Sequence, residues 1–380
     1  MAHIVTGSVG TAADLGINQA RRKIIMRDKL AELEPSVNPL TLLLRKAGKK
    51  AVGGPKYEWL EHQRFDDLTT LTANSAAADT TLDVADGTIG AAGQLAQNQR
   101  TGETVSITSV AADVWTVVRS VGAVAAADML DGDDLIMLST SFAENSDAPD
   151  PRKRQETNEH NFTQIARSTF GASGTLIHTD IYGTRNIMSE QAAQRAMDHQ
   201  AEIEKTLFFG ERSEVTTGDY AKRTCGGVDE IITDVYDFGG SFSMLAAFDA
   251  LETGMRYGAN TKTLFAGRAP ISNISAEALD KVRTTVSEKT FGINVTRLES
   301  PHGVVMLIRH DLLVGSVYGL RGYLLDLDAL MFVFLRGRDT ALYEGLETNG
   351  QDGEIHGYLT EFGLERMEAQ KHQLWTGMAT

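Results

Sequence analysis

Residues 185–209, "RNIMSEQAAQRAMDHQAEIEKTLFF", hold the strongest helical pattern in the chain. Met188, Ala192 and Ala196 fall four residues apart, as do Ile203 and Leu207, with His199 or Gln200 bridging the gap. These positions line up as one apolar stripe, and Glu190, Arg195, Asp198, Glu202 and Lys205 cover the remaining surface. Gly210 is placed to stop the helix. At 1.5 Å per residue the segment is a rod of roughly 37 Å, long for a globular domain. A rod of that length needs other surfaces along it.

Ahead of the rod the composition changes abruptly. Residues 71–139 are rich in Ala, Thr, Val, Asp and Gly, with short alternating runs at Thr104, Val105, Ser106 and Ile107 and again at Trp115, Thr116, Val117 and Val118. Turn signals at Asp86-Gly87 and Asp131-Gly132 punctuate them, which is the pattern of a small all-β module. An extended segment around Tyr57 and Trp59 leads into the module, and one around Phe162, Ile165 and Phe170 leads back. The module is therefore read as an insertion carried on a two-stranded excursion. An isolated pair of strands is marginal in water, so the excursion also requires a surface to lie on.

Charge is segregated along the chain. The formal net charge is −15 over 380 residues. Residues 21–56 nevertheless hold ten Lys/Arg against three Asp/Glu, and residues 66–150 hold fourteen Asp/Glu against two Arg. Opposite poles suggest different partners or a head-to-tail assembly, although solvated faces of unlike sign give the same pattern. The basic pole includes "EPSVNPLTLLLRKAGKK", an apolar burst at Leu40, Leu42, Leu43 and Leu44 ending in Arg45, Lys46, Lys49 and Lys50. Pro39 suits a first helical position.

The length points to more than one domain, and 42% hydrophobic with 23% charged residues is the composition of a folded chain. A single cysteine, Cys225, allows no internal disulfide and fits a reducing compartment. The N-terminus lacks the basic and apolar regions of a signal peptide. Residues 324–335 are interrupted by Asp326 and Asp328 and are too short to span a bilayer, so no membrane partner is expected. Past the rod, 243–257 and 275–288 read as helices, and "TKTLFAG", "INVTRLES", "GVVMLIRH" and "ALMFVFLRG" as strands. The tail from 340 reads as strands joined at Asn349-Gly350.

Catalytic and metal constellations are absent from the sequence. No phosphate-binding loop, HExxH or CxxC occurs, and Gly226-Gly227 reads as a turn. "GASGT" lacks the last glycine of a nucleophile elbow. "DGDD", residues 131–134, has neither the ligand count nor the spacing of a calcium loop and reads as a turn with solvated carboxylates. Lys222 and Arg223 are the bases near Cys225 that an activated thiol would require. No catalytic residue, metal or cofactor is expected, and no enzyme.

Four longer phrases, "MRDKLAELEPSVNPLTLLLRKAGKKAVGGPKYEWLEHQ", "NEHNFTQIARSTFGASGT", "EIEKTLFFGE" and "GGVDEII", together with the order of parts, resemble the major capsid proteins of tailed bacteriophages with the Hong Kong 97 fold. The resemblance is strongest over 17–56 and 158–231 and covers little of 74–140. It implies an α+β fold with a small all-β insertion domain. Its parts would be an N-terminal arm (1–53), an E-loop (54–73 and 141–174), the inserted β domain (74–140) and a P domain (175–225) with its spine helix at 185–209. An A domain (226–338) and C-terminal P-domain strands (339–380) would follow. The implied function is a shell subunit forming pentamers and hexamers around non-specifically packaged double-stranded DNA, in a virion assembled in the bacterial host cytoplasm. A separate scaffolding protein, a portal and a decoration protein would be its partners, and the shell would be non-covalent.

On that reading Leu40, Leu42, Leu43 and Leu44 pack under a neighbouring subunit. Arg21, Arg22, Lys23, Arg27, Arg45, Lys46, Lys49 and Lys50 meet a neighbour's acidic surface or DNA, and Tyr57, Trp59, Arg152, Lys153 and Arg154 complete the contact set. The competing readings are an encapsulin-like compartment, a β-rich carbohydrate-binding or adhesion module, and an enzyme with an unrecognised site. Replacing Arg21, Arg22 and Lys23 with glutamate is expected to block shell formation while leaving a folded subunit, with particle yield by electron microscopy as the measurement. Normal particles from that variant would remove the arm's contact role.

Overall fold

A computed structural model describes residues 38–62, 66–147, 156–180, 186–281, 285–286 and 295–379. The basic residues at 21–23, 27 and 152–154 lie outside them. The described chain separates into two compact units, Trp59–Glu159 and the remainder. Strands Lys56–His62 and Glu156–Phe162 pair as a two-stranded sheet along which the chain passes from one unit to the other and back.

The smaller unit is a six-stranded antiparallel sheet. Its spatial order is Leu68–Thr70, Asp134–Thr140, Gln94–Asn98, Thr104–Ala111, Val114–Val118, Thr81–Asp83. The outermost strands meet. Leu71 bridges Val84, the Thr72 amide donates to the Asp83 carbonyl at 3.0 Å, and Ala85 donates to Thr70 at 2.9 Å. The sheet is thus a closed barrel without free edges. Alternation does the sorting that the sequence pattern predicts: Val105 and Ile107 point inward on one strand, Trp115 and Val117 on the next. Trp115 is fully buried, and its indole N–H donates to the Gly87 carbonyl at 3.1 Å. Leu68–Thr70, read from sequence as part of the excursion, is a barrel strand, because closure needs its pairing with both neighbours.

In the larger unit, one sheet holds Gly353–Arg366 at its centre. Gln164–Ser173 pairs antiparallel along one side of it, and Leu330–Leu335 and Ala341–Tyr343 along the other. Lys49–Val52 adds in parallel to Leu330–Leu335. The long helix, Ile187–Phe209, packs on this sheet. Asn186 caps it by accepting from the Met188 and Ser189 amides at 3.0 and 3.2 Å. The predicted stripe is deepest in the helix's second half, where Ile203, Leu207 and Phe208 are buried and His199 bridges as expected. Beyond the stop, Gly227 comes so close that a Cβ there would lie 2.7 Å from the Thr206 carbonyl and 2.8 Å from the Gly210 nitrogen. The paired glycines at 226–227 therefore serve close approach to the helix end.

A second sheet of seven strands is ordered Asp234–Asp237, Gln373–Thr376, Gly322–Leu325, Thr261–Ala266, Gly303–Arg309, Val295–Ser300, Thr285–Val286. Helices Met244–Gly254 and Arg268–Lys281 contribute to its core with Ala247, Leu251 and Ile274, packed with Leu264, Leu307 and Trp375. Near its centre, Thr261–Ala266 is buried from its second residue to its last. The sheets divide the sequence differently from the domain scheme expected above. Leu330–Leu335, placed before the 338/339 boundary, belongs to the sheet under the long helix, and Gln373–Thr376, placed after it, belongs to the seven-stranded one. Local pattern shows that these are strands but carries no information about which sheet receives them.

Lys262 is buried at the end of helix Met244–Gly254, its ammonium donating to the Gly254 and Lys371 carbonyls at 2.6 Å each. Burial lowers it to about 8. His372 is buried close by, with Nδ1 accepting from the Asp326 amide at 3.3 Å and Nε2 buried without a partner among the described residues. Burial first, and then the Lys262 charge, push this imidazole down to about 3. The unfolded chain thus binds a proton between about pH 6.5 and 3 that the folded chain refuses. Stability from His372 is complete above 6.5 and is lost as pH falls toward 3. Between pH 7 and 4.5 the loss is expected to be about 2–3 kcal/mol, read from urea denaturation midpoints. His372→Asn is expected to shrink that pH difference, and an equal difference in the variant would rule out His372 as its source.

Candidate functional site

Helix Pro39–Ala47 begins with a proline, leaving the next amides without intrahelical partners, and Asn38 supplies no side-chain cap. Glu204, from the long helix, takes their place. Its Oε1 accepts from the Leu40 amide and its Oε2 from the Thr41 amide, both at 2.8 Å, and the Thr41 hydroxyl donates to Oε2 as well. His310 Nε2 lies 2.9 Å from Oε1. Because His310 Nδ1 accepts from the Leu312 amide at 3.3 Å, Nε2 carries the proton and donates to Glu204. Glu204 is fully buried and His310 nearly so. A negative charge at a helix N-terminus is favourable, and four donors satisfy an otherwise costly buried carboxylate.

This arrangement revises the contact set. Leu40 and Leu44, expected to pack under a neighbour, are fully buried in the chain's own core with Phe208, Phe332 and Leu330. An i, i+4 pair faces one side of a helix, and that side faces inward here. Leu43 is partly buried against the same core, and Leu42 alone of the four is exposed, at 38%. The basic cluster also finds partners within the chain. Arg45 lies 5.0 Å from the Phe332 ring centroid and donates to Thr340 Oγ1 at 3.2 Å. Lys49 pairs with Asp339 at 2.6 Å, and Lys50 reaches both Glu365 oxygens at 2.9 and 2.8 Å. Lys46 is exposed. Tyr57 is a core residue, its hydroxyl donating to the Leu364 carbonyl at 2.9 Å. Trp59 is half-buried and donates to Glu61 at 2.8 Å. Arg21, Arg22, Lys23, Arg27, Arg152, Lys153 and Arg154 lie outside the described residues.

Two further polar centres escape sequence reading. Asn161 is buried, accepts from the Phe162 and Gly226 amides at 2.8 and 2.9 Å, and donates to the Leu364 and Gly226 carbonyls at 2.8 and 3.0 Å. It ties the returning strand to the segment after the long helix. Ser168, His199 and Glu202 form the second. The serine hydroxyl lies 2.8 Å from His199 Nδ1 and 2.9 Å from Glu202 Oε2, and His199 Nε2 lies 2.8 Å from Thr360 Oγ1. In a hydrolytic triad the acid orients the imidazole; here it binds the hydroxyl, and a threonine holds the far nitrogen. Burial, the largest influence, lowers His199 from its usual range. The group joins the long helix to two strands.

The remaining chemical candidates are also occupied structurally. Cys225 is fully buried and pushed up to about 12 by that burial, so the bases beside it in sequence do not activate it. Asp133, expected to be solvated, is buried, and Arg100 at 2.6 and 2.8 Å, with Asn98 and the Leu130 amide, holds it below the usual carboxylate range. No group of three or more metal-ligating side chains occurs among the described residues. No helix among them is long and apolar enough to cross a membrane. Trp115, the aromatic that an adhesive module would present, is inside the barrel.

A long helix on a sheet, a mixed second sheet with its own helices and a paired-strand excursion bearing an insertion together define the Hong Kong 97-type capsid fold. The capsid protein of a native GTA particle superposes with a TM-score of 0.50, covering 98% of this chain and 100% of that one at 10% identity, a likeness of fold alone. The family is shown by the sequence itself. Residues 8–379 match the family model for SU10 major capsid protein, and the chain belongs to that family. It is 24% identical over 308 residues to the major capsid protein of Pseudomonas phage PaMx41, spanning 74% of this chain and 70% of that protein. An encapsulin from Synechococcus elongatus PCC 7942 gives a TM-score of 0.45 over 59% of this chain and 78% of its own, at 11% identity.

Glu204→Gln replaces one acceptor with a donor facing amides that also donate. The expected cost is about 2–4 kcal/mol, measured by chemical denaturation. Asp339→Asn breaks a half-exposed pair and should cost under about 1 kcal/mol. The reverse order would show that Glu204 is not the main tie.

Proposed function

We propose that this chain is the subunit that tiles a closed phage head, as pentamers and hexamers, around double-stranded DNA. Membership of a major capsid protein family supports the class. The observation that carries the mechanism is the excursion. Lys56–His62 and Glu156–Phe162 form a sheet of only two strands, anchored in the larger unit by the buried Tyr57, Asn161 and Phe162. Farther along, Leu60 is 65% exposed. Two strands with one exposed apolar side chain are marginal alone and gain a surface when subunits pack side by side.

In this reading the paired strands Lys56–His62 and Glu156–Phe162 act as the E-loop, the helix Ile187–Phe209 as the spine and the barrel as an appendage able to receive a decoration protein. Leu42 and Lys46, rather than Leu40 and Leu44, supply the first described helix's share of neighbour contact. A separate scaffolding protein and a portal direct assembly in the host cytoplasm, and the chain performs no catalysis. Negative-stain electron microscopy of the expressed protein, alone and with a scaffolding partner, tests the reading. Closed shells or curved sheets with five- and six-fold clusters are expected. A monodisperse monomer at high concentration under both conditions overturns it.

A further inference from the structure

Strands Ser213–Val215 and Lys222–Thr224 pair as a hairpin just beyond the long helix. Its base is fixed by Arg223 on Glu214 at 2.7 Å and by the Thr224 hydroxyl donating to the Glu211 carbonyl at 2.6 Å. Its tip carries Tyr220, which is 90% exposed, with the carboxylate of Asp219 beside it. Val215, on the same hairpin, is 47% exposed. At the hairpin's base lies an open groove of about 510 Å³, with Phe209 and Leu312 as apolar walls and Lys205, Thr206 and Glu211 as polar ones. Phe209 is held by Tyr318, ring centroids 4.5 Å apart, so the groove is backed by packed aromatic structure. Val314 and Val317, in the segment that bears Leu312, are 66% and 58% exposed.

A tyrosine 90% exposed is not seated in its own chain's groove. A groove of that size accepts a phenol ring with its neighbours, and tyrosine brings large apolar area at low rotamer cost. The charges match as well: Asp219 on the knob suits Lys205 in the groove, and Lys222 suits Glu211. We infer that the Tyr220 tip of one copy seats in the Phe209–Leu312 groove of a second copy, a head-to-tail contact that can close rings or extend surfaces. This inference rests on the shell reading and assigns one of its interfaces.

The charge pair gives the test. Lys205→Glu and Asp219→Lys, each alone, are expected to lower particle yield at least tenfold at matched concentration, with circular dichroism and denaturation midpoint unchanged. The double variant is expected to recover to within twofold of the parent. Lys205→Cys with Asp219→Cys should form disulfide-linked chains between copies under oxidation. Single swaps that assemble like the parent, a double variant that stays defective, or a disulfide closing within one chain would each overturn the contact. A parent chain that forms no particles either alone or with a scaffolding partner refutes the shell reading instead; the cysteine pair, read in concentrated solution, still decides whether the tip reaches a second copy.

Discussion

One buried carboxylate organises the larger unit. Glu204 leaves the long helix, caps the helix Pro39–Ala47, and accepts from His310 at the end of strand Gly303–Arg309. Three segments far apart in sequence are thereby joined at one buried point. Leu40 and Leu44 can fill the core only if their helix starts where those donors meet Glu204. A hydrophobic contact tolerates small shifts; a carboxylate with four directed donors does not. The apolar burst thus serves as an internal fastening from which the preceding chain departs.

Polar joints of this kind recur wherever elements from distant parts of the chain converge. Asn161 joins the returning strand to Gly226 and Leu364. Ser168 and His199 join the long helix to Gln164–Ser173 and, through Thr360, to Gly353–Arg366. Lys262 closes a helix C-terminus onto the turn before the last strand. The inserted barrel is different. Its core is one apolar cluster, its sheet closes on itself, and its buried ion pair, Glu103 with Arg119, is satisfied from within. It bears the marks of a self-contained module.

Much of this was legible in advance, and the failures have definite causes. The stripe Met188, Ala192, Ala196, Ile203, Leu207 located the long helix within two residues of its start, since its period is set by local geometry. Alternation at Val105, Ile107, Trp115 and Val117 found the barrel strands. Glu204 carries one local signal, its place inside the apolar stripe between Ile203 and Leu207 and four residues before Phe208. The lysines at 49 and 50 looked free because Asp339 and Glu365, their partners, lie some three hundred positions away.

From the residues alone came a mixture of helices and strands, the long rod, the acidic insertion between two extended runs and the lack of a catalytic motif. These follow from periodicity, composition and turn chemistry, all of which act over a few residues. Barrel closure through Leu71 and Val84, the crossing of Leu330–Leu335 and Gln373–Thr376 into opposite sheets, and the burial of Leu40 and Leu44 were settled by packing. Each depends on which distant segment offers a matching surface or the missing hydrogen-bond partner, and short-range pattern is silent on that.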